Sequence, residues 1–255
     1  MEKLKIYIGW DPRERKAYDT ARKSILQRTK AIVNIIPLEL SNPKIKSILT
    51  RPIEQKDGKL WCPVSQAPMS TEFAISRFCV PFLQKTGWGL YCDCDILCRA
   101  DIQELFNLAD DRYAVMVVKH NHHPKDGTIK MDSQIQTCYP RKNWSSVVLW
   151  NCEHSQNKKL TLDVLNLWPG RELHAFHWLK EDVIGSLPKE WNHLVGVDPP
   201  NPKAKLAHFT LGLPNMAGYE NCEFSSEWRE EDHDIRPTLL AKLGGSLKRL
   251  FARKF

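Results

Sequence analysis

The chain has 255 residues, a formal net charge of +7, 42% hydrophobic residues and 26% charged residues. This composition is ordinary for a soluble globular protein, and no internal repeat or low-complexity tract is visible. No run approaches the roughly 18 apolar residues of a membrane-spanning helix, so we expect none. The length fits one large α/β domain, or such a domain with a small appendage.

The thiols are expected to be reduced. The N-terminus reads as a strand without an apolar signal-peptide core, so we expect a cytoplasmic protein, in which disulfides are rare. No Cys-x-x-Cys pair occurs, so the spacings do not favour a zinc or iron–sulfur site. We therefore expect mostly buried, unpaired thiols at positions 62, 79, 92, 94, 98, 138, 152 and 222.

Much of the excess positive charge lies near the two ends, in segments 13–30 and 242–254. No helix-turn-helix, zinc-finger or RNP pattern accompanies it, so we do not expect nucleic acid as a partner. A basic balance also suits phosphate-bearing donors and anionic membrane surfaces.

The first elements predict a parallel sheet. Residues 4–9 read as a short apolar strand, residues 14–27 as a helix and residues 32–38 as a second strand. Apolar residues at helical spacing indicate the helix, and Pro12 suits its first turn. Strand–helix–strand order is typical of α/β proteins with parallel strands.

The middle of the chain continues the alternation of strands and helices. Segment 42–68 is irregular and proline-rich, and we expect a loop. A helix over 70–83 would be capped by Ser70 and kinked or ended by Pro81. The other predicted elements are strands at 88–96, 113–119 and 144–151, helices at 102–108, 160–167 and 174–187, a loop at 120–132, a late strand or turn at 207–212, and a basic helix at 237–255.

Asp93 and Asp95 follow the apolar part of the strand predicted over 88–96. Residues two apart on a strand point to the same side, so the two carboxylates can converge on one divalent cation that prefers oxygen ligands. Ligands of α/β sheets bind at the carboxyl ends of the strands, and a diphosphate is the natural partner of such a metal. The pair therefore predicts an enzyme that acts on a phosphorylated donor.

The spacing Asp-x-Asp is weak support when taken alone. With 15 aspartates in the chain, about one such pair is expected by chance. The same Asp-x-Asp pattern occurs at Asp232-His233-Asp234, in an acidic run with no predicted strand before it. We interpret that second pair as a solvated acidic loop.

Five further segments accompany Asp93 and Asp95 in chain order. They are Ile-Tyr-Ile-Gly-Trp-Asp at 6–11, Thr-Glu-Phe-Ala-Ile-Ser-Arg at 71–77, Ser-Ser-Val-Val-Leu-Trp-Asn at 145–151, Leu-Pro-Lys-Glu-Trp-Asn at 187–192 and His-Phe-Thr-Leu-Gly at 208–212. In order and spacing the chain resembles the nucleotide-sugar glycosyltransferases of the GT-A fold, closest to the retaining hexosyltransferases of family 8. The resemblance spans residues 4–215.

The resemblance implies an α/β, Rossmann-like GT-A fold with a mixed, mainly parallel sheet flanked by helices. It also implies that Asp93, Asp95 and His208 bind Mn²⁺ or Mg²⁺ on the donor diphosphate. Two carboxylates and an imidazole suit Mn²⁺ better than Mg²⁺, because nitrogen is the softer ligand. The alternative for His208 is a half-buried histidine with a purely structural role.

Gly9, Asp11, Arg77 and Asp93 are the donor-binding candidates that the resemblance implies. Asp11 would contact the base or ribose of the nucleotide, although an aspartate before proline also suits a helix N-cap or a turn. Arg77 could clamp the donor phosphate or sugar, and the alternative is a solvated helix charge. The apolar residues around Arg77 favour a buried functional arginine.

Asn151, Glu181 and Asp182 are the catalytic candidates. Where the family has an Asp-Gln-Asp run near the reacting sugar, this chain has Lys180-Glu181-Asp182. A glutamate there could be a nucleophile or could stabilise an oxocarbenium-like centre, and it could equally be an exposed helix carboxylate. The departure leaves the expected retention of stereochemistry open.

The late histidine motif of the family also departs here. Its phosphate-binding lysine is replaced by Leu213, and Lys203 or Lys205 could take over that role.

The C-terminal segment 237–255 is treated as a tail that follows a domain spanning 1–236. Leucines at helical spacing alternate with lysines and arginines, which suits an interfacial helix on an anionic leaflet. The alternative is a core-packing helix with a basic exposed side. If the tail binds membrane, the acceptor is expected to be a lipid-linked or envelope glycan, and the protein would be peripheral at an inner membrane face.

The resemblance implies a metal-dependent hexosyltransferase that takes its sugar from a nucleoside diphosphate, expected to be UDP, and gives it to a hydroxyl of a glycan or lipid-linked acceptor. A metal-dependent phosphotransferase or nuclease using Asp11, Asp93 and Asp95 is the first alternative, although two-metal sites normally cluster more carboxylates. A non-catalytic nucleotide-sugar-binding module is the second.

Overall fold

The computed structural model describes residues 3–121 and 141–232, together with the backbone of two short strands between them. The predicted tail 237–255 and its boundary after residue 236 lie outside the described residues, as do Cys138 and His233-Asp234. The seven described cysteines form no disulfide, and six of them are buried, which confirms the prediction for these positions.

Fourteen strands and eight α-helices are described. The helices are α1 (Arg15–Arg28), α2 (Pro43–Ile48), α3 (Phe73–Ser76), α4 (Val80–Gln84), α5 (Gln103–Phe106), α6 (Leu162–Leu167), α7 (Gly170–His174) and α8 (Ser225–Asp232). The first strands are β1 (Leu4–Gly9), β2 (Val33–Leu38), β3 (Glu54–Lys56), β4 (Lys59–Cys62), β5 (Ala67–Met69), β6 (Trp88–Cys92) and β7 (Ile96–Cys98). The remaining strands are β8 (Val115–Val117), β9 (Ile129–Lys130), β10 (Gln134–Ile135), β11 (Val147–Asn151), β12 (Ile184–Ser186), β13 (His193–Leu194) and β14 (Leu206–His208).

The central sheet has six strands in the order β12-β8-β11-β6-β1-β2. The pairs β1–β2, β1–β6 and β12–β8 are parallel, whereas β11 runs antiparallel to both β6 and β8. This is the mixed, mainly parallel sheet that the sequence predicted. The strands β1 and β6 end at the same edge, and that edge carries the candidate site.

A smaller sheet with the order β13-β14-β7 extends this edge. Strand β7 follows β6 after three residues, and β14 pairs antiparallel with β7 so that His208 lies opposite Ile96. His208, 112 positions after Ile96 in the chain, is thereby brought beside the turn that follows β6.

Hydrophobic clusters cover both faces of the central sheet, because its strands alternate side chains between the faces. On β6, Leu90 and Cys92 belong to the cluster that includes α1, while Tyr91 belongs to the cluster on the opposite face. All three side chains are fully buried. A strand buried on both faces fits the continuous apolar run that indicated it.

The predicted elements that differ from the structure include four in segments 42–96 and 174–187. Segment 42–68 is not one loop, since it contains α2 and the antiparallel β3–β4–β5 sheet. The helix predicted over 70–83 is broken into α3, a 3₁₀ turn and α4, and its cap is not Ser70. The strand predicted over 88–96 ends at Cys92 and resumes as β7.

The fourth difference is the helix predicted over 174–187, which is wrong. Helix α7 ends at His174, and the chain continues through a turn at Phe176, a 3₁₀ helix at Glu181–Val183 and strand β12. Phe176 has a φ of 53°, a left-handed conformation that a helix cannot contain. Phe176 is fully buried, so packing of its ring against the core outweighs helix propensity.

In the described part of the chain, no helix combines the length with the apolar character that a membrane span needs.

Gly9, the last residue of β1, has no room for a side chain. A Cβ at this position would lie 2.6 Å from the ring of Phe73, far inside van der Waals contact. We expect Gly9→Ala to destabilise the protein by about 1–3 kcal/mol, the usual cost of overpacking a core. Chemical denaturation would measure the loss.

The Phe73→Ala background supplies the control for Gly9→Ala. Because it removes the obstructing ring, Gly9→Ala should cost much less there than in the wild type. An equal cost in both backgrounds would contradict the steric account.

Candidate metal centre and donor site

Asp93 and Asp95 lie in the short connection between β6 and β7. The backbone N–H of Asp93 donates to the carbonyl of Ser146 at 2.9 Å, which extends the pairing of β6 with β11 by one residue. The carbonyl of Asp95 accepts from the N–H of Phe209 at 2.9 Å. Each aspartate is thus anchored through its main chain, Asp93 to the central sheet and Asp95 to the segment that carries His208.

Asp93, Asp95 and His208 converge as the sequence predicted. One ligand atom from each side chain lies within 4.8 Å of the other two, and within the described residues no other such group of three occurs. Nε2 of His208 lies 3.3 Å from Oδ1 of Asp95, and the imidazole is only 3% exposed. Atoms that bind one ion at about 2.0–2.6 Å lie at most about 5 Å apart, so the three side chains fit a single divalent cation.

The donor set of two carboxylates and an imidazole suits a cation of intermediate softness. The residues present therefore fit the Mn²⁺ or Mg²⁺ that the GT-A resemblance implies.

Arg77 binds Asp93 directly. Its side chain is 7% exposed, and its guanidinium contacts both carboxylate oxygens, at 3.0 Å to Oδ1 and 3.4 Å to Oδ2. It also donates to the carbonyls of Ala74 and Ser145 and lies 5.2 Å from the ring centre of Tyr91. Arg77 is therefore not a solvated helix charge: it orients one proposed metal ligand and offsets its charge.

The charge balance at Asp93 sets its protonation. Burial raises the pKa of Asp93, Arg77 opposes that rise, and the negative charge of Asp95 adds to it, so the pKa lies above its ordinary value. The hydroxyl of Tyr91 donates to Oδ1 of Asp93. A cation placed between the two aspartates would favour the ionised form, since it offsets the repulsion between them.

Asp11 is fully buried and its carboxylate is saturated. It accepts from the backbone N–H and the guanidinium of Arg13 and from the N–H of Glu72, four hydrogen bonds of 2.6–3.0 Å. Burial raises the pKa of Asp11, but these hydrogen bonds outweigh it and lower the pKa overall. Asp11 also caps the 3₁₀ turn Pro12–Glu14. Asp11 therefore has the role of a turn residue. It could contact a nucleotide only if the Arg13 side chain moved away from its carboxylate.

A partly buried acid, Glu14, lies on the other side of the aspartate pair. Glu14 accepts from the thiol of Cys94 at 3.0 Å. Burial, together with the charge of Asp95, raises the pKa of Glu14 to about 7. Neither residue was a candidate from the sequence, although the expectation that Cys94 faces away from the aspartates agrees with this contact.

Glu181 and Asp182 are exposed and lie on the 3₁₀ helix that precedes β12. Glu181 pairs with Lys119 at 2.8 Å and with Arg141 at 2.6 Å. Partial burial raises the pKa of Glu181, but the two cations outweigh it and hold the pKa below its ordinary value. The carboxylate is therefore ionised at neutral pH, and its described contacts are with these two cations.

Asn151 is not brought to the three metal-ligand candidates. Because β11 is antiparallel to β6, its first residue Val147 pairs with Cys92 and its last residue Asn151 pairs with Trp88. Val147 and Asn151 are four positions apart along the strand, a distance of about 13 Å. The polar residues that β11 brings to the site are Ser145 and Ser146, which precede the strand.

Lys203 and Lys205, proposed to replace the missing phosphate-binding lysine, do not lie at the end of β14 that carries His208. Leu213 is 2% exposed and packs in the core. Lys205 pairs with Glu104 at 2.6 Å and precedes β14 at the end remote from His208, while Lys203 is exposed.

Asp232 is not part of a loop, so that interpretation was wrong. It ends helix α8 and pairs with Lys16 at 2.7 Å, and its neighbour Glu231 is buried and pairs with Arg28. The buried face of this helix is formed by Ser225, Trp228 and Glu231. Two of these residues are polar, so no apolar periodicity indicated a helix here.

His174 is a partly buried neighbour of the site that sequence reasoning missed. Its Nδ1 lies 2.7 Å from the hydroxyl of Ser145, whose carbonyl binds Arg77. Burial lowers the pKa of His174 well below its ordinary value, and the charges of Arg77, Arg51 and Lys142 lower it further. The ring is therefore neutral in the folded protein.

This neutral ring predicts a pH dependence of stability. Below the ordinary histidine pKa of about 6.5, the unfolded chain takes up a proton at His174 that the folded chain does not, so the unfolding free energy falls as pH falls. The slope is at most about 1.4 kcal/mol per pH unit for one group. We expect the metal-free wild type to lose stability more steeply between pH 6.5 and 5 than His174→Gln. Parallel curves from chemical denaturation would contradict this.

No protein-family model matches the chain. Protein CDI of Arabidopsis thaliana is 43% identical over 234 residues, which cover 89% of this chain and 85% of that protein. The chain belongs to the family of Protein CDI. The name of this relative states no activity, so the activity of this CDI family member has to be inferred from its site.

Solved glycosyltransferase structures share its fold. The bifunctional glycosyltransferase WbbM aligns over 91% of this chain with a TM-score of 0.60 and 15% identity. GlyE of Streptococcus pneumoniae aligns over 96% with a TM-score of 0.59 and 16% identity. The galactosyltransferase LgtC, solved with donor and acceptor sugar analogues, aligns over 90% with a TM-score of 0.51 and 12% identity.

The CDI family chain spans 50% of the length of WbbM, 64% of GlyE and 95% of LgtC. At these identities the likeness establishes the GT-A fold, which confirms the predicted fold class.

Proposed function

We propose that this CDI family member is a metal-dependent glycosyltransferase. It would move a hexose-type sugar from a nucleoside diphosphate, most simply UDP, to a hydroxyl group of an acceptor. The observation that carries the proposal is the convergence of Asp93, Asp95 and His208 at the carboxyl edge of a GT-A sheet. The named activities of WbbM, GlyE and LgtC support sugar transfer as the reaction class.

In this proposal Asp93, Asp95 and His208 hold the cation against the donor diphosphate. The cation, when bound, supplies Lewis-acid stabilisation of the charge that develops on the leaving nucleoside diphosphate. Arg77 holds Asp93 in place through two contacts. The Phe73 ring packs directly against Gly9 at the end of β1, and Asp11 fixes Arg13 just beyond it. In the proposal the nucleotide lies over this end of the sheet.

Glu181 and Asp182 remain the proposed groups near the reacting sugar, by resemblance to family 8. Because Lys119 and Arg141 keep Glu181 ionised, Glu181 would act as a nucleophile or as a stabiliser of positive charge and not as a proton donor. If Glu181 is the nucleophile, two successive displacements give transfer with retention of configuration. None of the contacts that Asn151 makes with the described residues supports a catalytic role.

The acceptor proposal rests on the chain's charge. A glycan or a lipid-linked acceptor at an anionic membrane surface suits the basic segment 242–254. The cytoplasmic side of a membrane is the proposed location. Vesicle sedimentation with and without residues 237–255 tests this part alone, and equal binding to anionic vesicles by both forms would reject it.

The activity is tested by a panel of nucleotide sugars with and without Mn²⁺. We expect one nucleoside diphosphate sugar to raise the unfolding temperature only when Mn²⁺ is present, since a ligand at 100 times its Kd stabilises the folded state by about 2.7 kcal/mol. Release of the nucleoside diphosphate, followed by NMR of the sugar product, then shows turnover and the anomeric configuration.

The other outcomes of the panel identify the alternatives. Stabilisation without turnover on any acceptor would indicate a nucleotide-sugar-binding module. Metal-dependent cleavage of nucleic acid without any response to nucleotide sugars would indicate a nuclease.

A further inference from the structure

The imidazole of His208 has a described partner on each of its nitrogens. Nε2 faces Oδ1 of Asp95 at 3.3 Å, and Nδ1 lies 3.0 Å from Oδ1 of Asn192. Asn192 belongs to the 3₁₀ helix Lys189–Asn192 and is fully buried. No role was assigned to Asn192 from the sequence.

The orientation of the Asn192 amide follows from its other neighbours. Its Nδ2 lies 3.0 Å from the hydroxyl oxygen of Ser146 and 3.4 Å from the carbonyl of Asn143. The Ser146 hydroxyl donates its own proton to that same carbonyl at 2.7 Å, so its oxygen is available only to accept from Asn192. Two acceptors therefore face the amide nitrogen, and the amide oxygen must face His208.

The amide oxygen in turn decides the tautomer of His208. An oxygen that can only accept requires a proton on Nδ1 of the ring. In the neutral imidazole, Nε2 then carries the lone pair, and this lone pair is on the side of Asp95. A carboxylate oxygen and a lone pair facing each other at 3.3 Å repel unless a cation or a proton lies between them.

Asn192 also links the two parts of the proposed metal site. Ser146, which accepts from its amide, binds the backbone N–H of Asp93 through its own carbonyl. The Asn192 side chain thus connects His208 to Ser146, whose carbonyl holds the backbone of Asp93.

We infer that Asn192 is a positioning residue of the metal site, which holds His208 in the Nδ1–H tautomer so that Nε2 can bind the cation. The inference rests on the proposed metal-dependent function. Partners of this kind, outside the ligands themselves, typically change metal affinity 10–100-fold when they are removed.

The test compares Asn192→Leu with a matched buried asparagine. Asn157 is 4% exposed, and its amide, like that of Asn192, donates to two acceptors, here the carbonyls of Ala114 and Asn151. None of its contacts with the described residues is with an imidazole. Asn157→Leu controls for the loss of a buried amide. Asn192→Asp restores an accepting oxygen opposite Nδ1 and serves as the rescue.

Two readouts are needed, both independent of turnover. NMR of ¹⁵N-histidine-labelled, metal-free protein reports which ring nitrogen of His208 carries the proton, with the signal assigned by its absence in His208→Gln. Electron paramagnetic resonance of free Mn²⁺ reports the affinity for Mn²⁺ alone.

We expect a protonated Nδ1 in the wild type, Asn157→Leu and Asn192→Asp, and loss of that proton to Nε2 in a large fraction of Asn192→Leu. The Kd for Mn²⁺ should rise about 10–100-fold in Asn192→Leu and stay within a few-fold of the wild type in the other two. An unprotonated Nδ1 in the wild type, or equal Mn²⁺ affinity in Asn192→Leu, would overturn the inference. Absence of Mn²⁺ binding by the wild type would instead refute the metal site itself, and the NMR result would still decide the tautomer.

Discussion

Replacing Asp95 by asparagine is expected to abolish Mn²⁺-dependent release of the nucleoside diphosphate while the protein stays folded. The substitution removes one of two anionic ligands and leaves the volume of the side chain unchanged. Loss of a direct ligand should exceed the 10–100-fold effect typical of outer partners, so we expect activity to fall by more than about a hundredfold. Initial rates at saturating Mn²⁺ and a denaturation curve measure the two parts of the prediction.

Asp232→Asn is the matched control for Asp95→Asn. Asp232 belongs to the chain's other Asp-x-Asp sequence, and its side chain is 13% exposed, compared with 16% for Asp95. Its partner is Lys16, and a pair with one exposed member contributes about 0–1 kcal/mol to stability. Activity should be unchanged. Retained activity in Asp95→Asn, or equal losses in the two variants, would contradict the metal assignment.

Arg77→Met is expected to cause the largest loss of stability among single substitutions at the site. It removes the guanidinium from a carboxylate that is 13% exposed and leaves the carbonyls of Ala74 and Ser145 without this donor. Breaking a buried ion pair by removing one partner typically costs about 3–5 kcal/mol, because the other charge stays buried and uncompensated. Chemical denaturation of the metal-free protein measures the change.

The double variant Arg77→Met/Asp93→Asn separates the charge effect from lost packing. Neutralising Asp93 removes the uncompensated carboxylate, so the double variant should be more stable than Arg77→Met alone, with an interaction energy of about 0.5–3 kcal/mol. Simple addition of the two single losses would show that Arg77 contributes packing and hydrogen bonds only.

The sequence predicted the sheet edge and the two aspartates of the proposed metal site because both depend on local patterns. Buried apolar runs identify β1 and β6, and the aspartates follow β6 directly. His208 was placed only by resemblance, since its approach to Asp95 depends on the pairing of β14 with β7. Nothing within a few residues of His208 records that pairing.

The errors arise where tertiary packing decides the conformation. The apolar composition of segment 174–187 suits a helix. However, Phe176 is buried in a left-handed conformation, which a helix cannot contain. Asn151 was misplaced because a sequence does not show whether a strand runs parallel or antiparallel to its neighbours. Antiparallel pairing puts the end of β11 at the far side of the sheet.

Asn192 and His174 were missed for a related reason. The partner of Asn192 is 16 residues away and that of His174 is 29 residues away. Only the fold brings these polar side chains into contact, and neither residue type predicts a positioning role by itself. The structure adds two side-chain contacts: Asn192 contacts His208, and His174 contacts Ser145, whose carbonyl binds Arg77.

The central claim is that Asp93, Asp95 and His208 together hold a divalent cation on the donor diphosphate. Anomalous diffraction from crystals grown with Mn²⁺ and a nucleoside diphosphate tests it most directly. The account predicts one manganese peak within about 2.0–2.6 Å of a ligand atom from each of the three side chains and in contact with the diphosphate. Manganese and diphosphate bound elsewhere, with these three side chains unligated, would contradict it.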